Sequence, residues 1–336
     1  MKPGERITSA EVARRAGVSQ SAVSRVFTPG ASASASTRAK VRAAADALGY
    51  SPNVLARAMN TGRSGIVGLV VAYLDNHFYP DAVEKLSVAL QARGYHVLVF
   101  MGSPTTGDVE GVMRQILDYQ VEGIVLASVS MSSTLAERCA ERGIPVVLFN
   151  RKQNDPGMCA VTTDNRRGAR EIAAHFMALG HERIGYIAGF EGASTQVDRE
   201  RGFTEALAEA GLGLEARGIG GFDPAMARAA ALEMFSGRSR PTAVFVCNDH
   251  MAFAVMDALR SKLEMRVPQD VAVAGFDDVP VAGWPAYDLT TYRQPIRRMV
   301  ERAVDTLTAR IRDRSIPPTR VQLEGELIVR SSTVAA

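Results

Sequence analysis

The chain has 336 residues, 46% of them apolar, and a formal charge of only +3. No run approaches the ~18 uninterrupted apolar residues of a membrane span, and Lys2, Glu5 and Arg6 interrupt the place where an apolar export segment would build, so no signal peptide is expected and the protein reads as cytoplasmic. Cys139, Cys159 and Cys247 form no C-x-x-C pair and the five histidines show no H-E-x-x-H spacing, which argues against a metal, a redox centre or a bound cofactor.

The charge is unevenly placed. Residues 1–65 hold ten Lys/Arg against three Asp/Glu, a net of +7, and the remainder is −4. A small basic unit on a slightly acidic body suits a phosphate-binding head. Inside it, Thr8 with Glu11 three residues on is a capping box that starts a helix. Gly17 can take the left-handed turn that ends that helix, and Ser19 can cap a second one at once. Two short helices across such a turn make a helix-turn-helix over residues 8–27. Val12, Ala13 and Ala16 share one face of the first helix, and Val23 and Val26 one face of the second. Packing these faces together leaves Gln20, Ser21, Ser24 and Arg25 outward. Amide, hydroxyl and guanidinium groups near a helix N-terminus are the chemistry that reads base edges in a major groove. A plain helical hairpin with a solvated polar face would carry the same caps. Ser34 or Ser36 caps a third helix over residues 36–48, which stops at Gly49. Pro52 favours a fresh start, but residues 53–60 have too few large apolar side chains to hold a helix alone.

The order Ala13-x-x-Ala16-Gly17-Val18-Ser19-x-x-x-Val23-Ser24-Arg25-Val26, then Thr37-Arg38-x-x-Val41, Leu48-Gly49-Tyr50-x-Pro52-Asn53-x-x-Ala56-Arg57 and Thr61-Gly62, resembles the LacI/GalR repressor family. The resemblance implies a DNA-binding head of residues 1–62, with Gln20, Ser21, Ser24 and Arg25 at the major groove. It also implies a hinge helix over residues 53–60, carrying the DNA contacts Ala56 and Met59, that orders against DNA and its symmetry mate. Met59 stands where the family usually has a leucine wedge, and apolar wedges in the minor groove unstack a base step and kink the duplex. A thinner methionine implies a shallower kink. The run Ala31-Ser32-Ala33-Ser34-Ala35-Ser36 replaces bulkier, more charged residues, which implies a less firmly seated third helix.

From Ile66 the grammar becomes alternating strands and helices. Strands are expected at 66–71, 95–100, 123–127 and 145–149, with helices at 80–93, 109–119 and 135–142. A second set follows, with helices at 165–179, 199–210, 225–235 and 251–259 and strands at 183–188, 243–247 and 271–276. Continuous apolar strands suit a parallel sheet covered on both faces. The fold class is therefore an all-α helix-turn-helix head followed by an α/β body, residues 63–336, of two doubly wound lobes with a cleft between them. The resemblance adds that the lobes are like those of periplasmic binding proteins. It also adds three chain crossings, near Thr163, Tyr292 and Val321. Those divide the body into about 65–163 with 293–321 and about 164–292 with 322–336, with a helix over 295–312 returning to the first lobe.

Ligands in open α/β sheets bind beyond the carboxyl ends of strands. The polar residues there are Asn76, with Phe78 close by, Asn150 and Arg151, Asn248 and Asp249, and Asp277 and Asp278; Arg199 opens a helix and Gln294 precedes Pro295. Each matches a family position associated with effector contact. Arg199, Asn248, Asp277 and Gln294 lead, then Asn150 and Asn76, with Phe78 as an apolar wall. Asp249 and Asp278 read equally as caps or turn formers, and Arg151 as a surface charge. An Arg facing an Asp in a dry cleft suits a polyhydroxylated or heteroaromatic ligand, a sugar before a nucleobase. Trp284, the sole tryptophan, lies in a Pro-flanked loop as a stacking platform, a lid or a dimer contact.

These residues bear on three function classes. A solute-binding module would explain the body but not the fused basic head. An enzyme is disfavoured: Gly211-x-Gly213 and Gly218-x-Gly220-Gly221 do not complete G-x-G-x-x-G after a strand, and no G-x-S-x-G elbow is present. The reading that uses both parts is a homodimeric transcription regulator. It binds operator DNA through the head and a small-molecule effector in the cleft, and the sequence shows no apolar heptad run that would tie dimers into a tetramer.

Overall fold

A computed structural model describes residues 7–28, 31–51, 64–72, 74–102, 109–127, 133–153, 157–237 and 239–334. The chain divides into two compact units, Met1–Ser64 and Gly65–Ala336.

Among the described residues the head has three helices: α1 Ser9–Ala16, α2 Gln20–Phe27 and α3 Ala35–Leu48. Local chemistry sets each boundary. The Thr8 backbone N–H donates to Glu11 at 2.7 Å, and the Glu11 N–H returns a bond to the Thr8 hydroxyl at 3.4 Å. This reciprocal cap satisfies N–H groups the first turn would otherwise leave without partners. Gly17 ends α1 at φ 67°, in the left-handed region where a Cβ would be strained. Ser19 caps α2 and Ser34 caps α3. Val12, Val23, Val26, Val41, Ala44 and Ala45 form the head's small core. The Ala-Ser run is tied down: Arg38 donates to the carbonyls of Ala31 and Ala33, and Ala33 packs on the core. The third helix, expected to be less firmly seated, is held to this run by a guanidinium.

The body holds two six-stranded sheets. In chain order its elements begin β1 Ile66–Val71, α4 Phe78–Ala92, β2 His96–Met101, α5 Val109–Asp118, β3 Gly123–Ala127, α6 Ser133–Glu141, β4 Val146–Phe149 and β5 Cys159–Thr163. They continue with α7 Asn165–Ala178, β6 Ile184–Ala188, α8 Ser194–Glu209, β7 Leu214–Ile219, α9 Pro224–Ser236, β8 Ala243–Val246, α10 Asp249–Lys262 and β9 Ala272–Asp277. A short 3-10 turn at Pro280–Gly283 precedes β10 Thr290–Arg293, α11 Ile296–Arg312, β11 Arg320–Leu323 and β12 Glu326–Ile328.

The first sheet runs β11-β5-β4-β3-β1-β2, all parallel; the second runs β12-β10-β9-β8-β6-β7, with only β12 antiparallel. The chain passes between sheets after β5, after β10 and between β11 and β12. Helix α11 returns to pack on β3, β4 and β5 of the first sheet. Strands β1, β3, β4, β6, β8 and β9 are buried throughout, as helices on both faces require.

Sequence patterning missed five strands: β5, β7, β10, β11 and β12. Strand β7 alternates half-buried and exposed residues, because it is an edge strand with Glu215 and Arg217 turned outward. Strand β5 is short and ends in Thr162-Thr163, whose hydroxyls broke the apolar pattern.

Candidate functional site

In the head, Gln20, Ser21, Ser24 and Arg25 all lie exposed on α2. Their backbone positions follow from Val23 and Val26 being buried on the opposite face. The Gln20 amide donates to the Ser9 hydroxyl on α1 at 2.8 Å, and the Arg25 Nε rests on the Ser21 carbonyl at 3.3 Å. Arg14, Arg15, Lys40 and Arg42 are also exposed, so positive charge is distributed over the head's surface. Ala56 and Met59, with the rest of the expected hinge over 53–60, lie outside the described residues.

In the body, a narrow, polar-lined cavity opens beyond the carboxyl ends of the strands. Asp75 and Asn76 reach it from the β1–α4 connection, Tyr79 from the first turn of α4, Asn150 and Arg151 from the end of β4, Thr195 and Arg199 from α8, Phe222 from the segment after β7, Asn248 from the end of β8 and Asp277 from the end of β9. Asn150 has φ 65°, Phe222 φ 64° and Asp277 φ 127°. Three non-glycine residues in positive-φ conformations around one cavity are a concentration of backbone strain of the kind that gathers at binding sites.

Arg199 is the centre of the arrangement. Its side chain is 2% exposed. Nε donates to the Asn165 Oδ1 at 2.8 Å, Nη1 to the Cys247 carbonyl at 2.6 Å and Nη2 to the Asp277 Oδ1 at 3.5 Å. The guanidinium also lies over the Phe276 ring, 3.7 Å from its centroid. Charge, hydrogen bonds and π-face together hold a fully buried cation that would otherwise be prohibitive to desolvate. Gln294 donates to the same Asp277 Oδ1 at 2.7 Å and accepts from the Thr163 hydroxyl at 2.6 Å.

The carboxyls respond to this burial. Desolvation pushes Asp277 up to about 6, although Arg199 and Gln294 pull it down. Asp249, wholly buried, is pushed up to about 8 by desolvation and then by the charge of Asp277. It accepts from the Thr291 hydroxyl at 2.6 Å and the Val279 N–H at 3.0 Å.

Two expected contacts are placed differently. Phe78 does not line the cavity. It is 3% exposed in the hydrophobic core, and its neighbour Tyr79 takes the wall position, because adjacent residues on a helix point about 100° apart. Gln294 stands behind Asp277 as a positioning group instead of on the lining. Asn76 and Asn248 line the cavity and also cap locally: Asn76 accepts from the Phe78 N–H and Asn248 from the Met251 N–H. Asp278 turns away to Arg293 and Arg330. Trp284 is 57% exposed and not on the lining. The sequence did not single out Thr195 or Phe222, and it carried Tyr79 only as part of the run Asn76-x-Phe78-Tyr79, with Phe78 as the expected wall.

Contacts also bridge the two lobes at the cavity mouth. The Lys152 ammonium pairs with Asp198 at 2.6 Å, and the Lys152 N–H donates to the Ser194 hydroxyl at 3.0 Å. Asp75 approaches the His250 Nε2 at 3.9 Å.

A helix-turn-helix head joined to a two-lobed α/β body with a polar interlobe cavity defines a DNA-binding regulator built on a ligand-binding body. Residues 8–53 match the model for bacterial regulatory proteins of the lacI family, and residues 173–333 match that for a periplasmic binding protein-like domain. The HTH-type transcriptional regulator CelR of Thermobifida fusca is 33% identical over 341 residues, 99% of this chain and 100% of that protein. The solved CelR–cellobiose complex shares 31% identity with a TM-score of 0.72 over 97% of this chain and 100% of that one. The lac repressor dimer bound to operator and the anti-inducer ONPF superposes with a TM-score of 0.88 at 26% identity, over 98% of this chain and 100% of that one. The chain belongs to the LacI family of bacterial transcriptional regulators. It is accordingly a DNA-binding regulator and not an enzyme.

Proposed function

We propose that the protein is a homodimeric repressor whose hold on operator DNA is set by a small, polyhydroxylated effector bound between the lobes. Gln20, Ser21, Ser24 and Arg25 read base edges from α2, and Ala56 and Met59 engage the minor groove. Arg199, Asp277, Asn248, Asn150 and Asn76 bind the effector, with Gln294 fixing Asp277 from behind. Ligand binding changes the angle between lobes, and the DNA-bound population shifts by its differential affinity for the two arrangements.

The observation that carries the reading is the cavity itself: buried polar groups from both lobes converge on it, and the Asn150 Oδ1 there has no partner. Buried polar atoms are normally satisfied, so an orphan facing a cavity marks a ligand's place. A sugar-like ligand is favoured by the cellobiose and ONPF bound to the relatives. A homodimer is favoured by the lac repressor dimer and by apolar side chains left exposed on edge strands of both sheets, Val99 and Met101 on β2 and Ile219 on β7. Among the described residues no helix is long and apolar enough to cross a membrane, in keeping with a protein that meets DNA in the cytoplasm.

A thermal-shift screen of the full-length protein against metabolites tests the cavity, because a ligand that binds only the folded state raises the melting temperature. Hits are then added to gel shifts on genomic fragments selected by the protein. The expected result is a ligand that both stabilises the protein and changes its affinity for one fragment. Selection of no fragment over bulk competitor, with or without ligand, defeats the reading.

A further inference from the structure

The effector cavity carries a second arginine that no described residue neutralises. Arg199 is spoken for, with all three of its nitrogens donating and Asp277 beside it. Arg151, one residue past the end of the β4 turn, is different. Its Nε is buried without a hydrogen-bond partner, and it forms no ion pair among the described residues. The adjacent Asn150 is 4% exposed; its Nδ2 makes a long 3.4 Å bond to the Tyr79 hydroxyl and its Oδ1 bonds to nothing.

A buried guanidinium N–H and a buried amide oxygen, next to each other and both unsatisfied, each cost free energy until a ligand supplies the complement. The complements differ. Arg151 needs an anionic acceptor, best a planar one that a guanidinium can grip. Asn150 Oδ1 needs a donor such as a hydroxyl. We infer that the effector is a hydroxylated carboxylate of the sugar-acid class, an aldonate or uronate. Its carboxylate lies on Arg151, a neighbouring hydroxyl on Asn150, and further hydroxyls on Asp277 and Asn248. Two features favour a monoanion over a phosphate ester. Among the described residues lining the cavity, Arg151 is the one cation without an ion pair, and the carboxylates of Asp75 and Asp277 line the same cavity, so a dianion would face repulsion. This inference rests on the effector reading of the cavity given above.

Calorimetric titration of the full-length protein with three matched series tests it: D-gluconate, D-glucuronate and D-galacturonate; D-glucose and D-galactose; and D-glucose 6-phosphate. At least one acid is expected to bind about tenfold or more tightly than its neutral counterpart. R151Q should weaken that acid about tenfold to a hundredfold and leave any neutral sugar unchanged, the loss expected for one charge-assisted contact. R151K should keep most of the preference. Tighter binding of a neutral or phosphorylated sugar overturns the inference, as does R151Q weakening acid and neutral ligands alike. A neutral ligand that binds more tightly than its acid counterpart and is lost in R199A overturns the sugar-acid class while leaving the effector reading intact. Silence from all three series overturns the sugar-acid class, and silence from the metabolite screen as well removes the effector reading with it.

Discussion

At Arg199 the protein commits a cation to an interior where water cannot reach it, and the consequences are measurable. R199A leaves Asp277 buried beside a void with only Gln294 as partner. Breaking a buried pair by removing one member costs about 3–5 kcal/mol, so R199A should lower the melting temperature clearly and abolish any ligand-induced shift in the same scan. Asp249 makes a second prediction. Its carboxyl titrates higher in the folded protein than in an unfolded chain, up to about 8. The folded state therefore holds this proton more tightly, and its stabilisation is complete below the unfolded value near 4. That contribution fades as pH rises through the folded value. The melting temperature should fall from about pH 5 to about pH 9, and D249N should flatten that slope. An equally steep decline in D249N would place its origin in other groups.

At the scale of elements, α7 and α8 depend on a glycine for their approach. A Cβ added to Gly202 would stand 2.2 Å from the Arg166 carbonyl oxygen, a backbone contact that cannot yield cheaply. Gly202 lies three residues past Arg199 on α8, so forcing the helices apart also displaces the guanidinium. G202A is expected to cost about 1–3 kcal/mol by overpacking and to weaken effector binding; a normal ligand response in a destabilised protein would separate the two effects. On α2, R25A removes the largest outward donor. It should cost about 1–3 kcal/mol of discrimination at one base pair of the operator, read as relaxed selectivity in a footprint. Unchanged selectivity would assign Arg25 to the backbone. The elements themselves were largely legible in the sequence, because caps at Thr8 and Ser19 and unbroken apolar runs such as 66–71 are local signals. Edge strands were not. Strand β7 owes its place to pairing with β6 from one side only, and half its side chains meet water.

Across the whole molecule, charge is divided between the two units, +7 in residues 1–65 and −4 in the rest. A dimer presenting two such heads should release many counterions on binding DNA. Operator affinity should fall on the order of a thousandfold between about 50 mM and about 200 mM salt. Effector affinity, set in a buried cavity beyond the reach of mobile ions, should change little over the same range. A shallow salt response in operator binding would mean that few phosphates are neutralised.

The order of residues along the chain was enough for the helix-turn-helix, the change at Ile66 to strand–helix alternation and the two-lobed class, since each rests on neighbours within a few positions. It also pointed to Arg199, Asn248 and Asp277 as members of one cluster. Which atoms meet was decided only in three dimensions. Residues as far apart in the chain as Asp75 and Asp277 converge through strand ends brought side by side by the two sheets. That convergence seats Phe78 in the core and Tyr79 on the wall, moves Gln294 behind Asp277, brings Phe222 to the cavity, and leaves Asn150 and Arg151 unsatisfied. Side-chain direction and long-range distance are properties of packing, and no local pattern of residues encodes them.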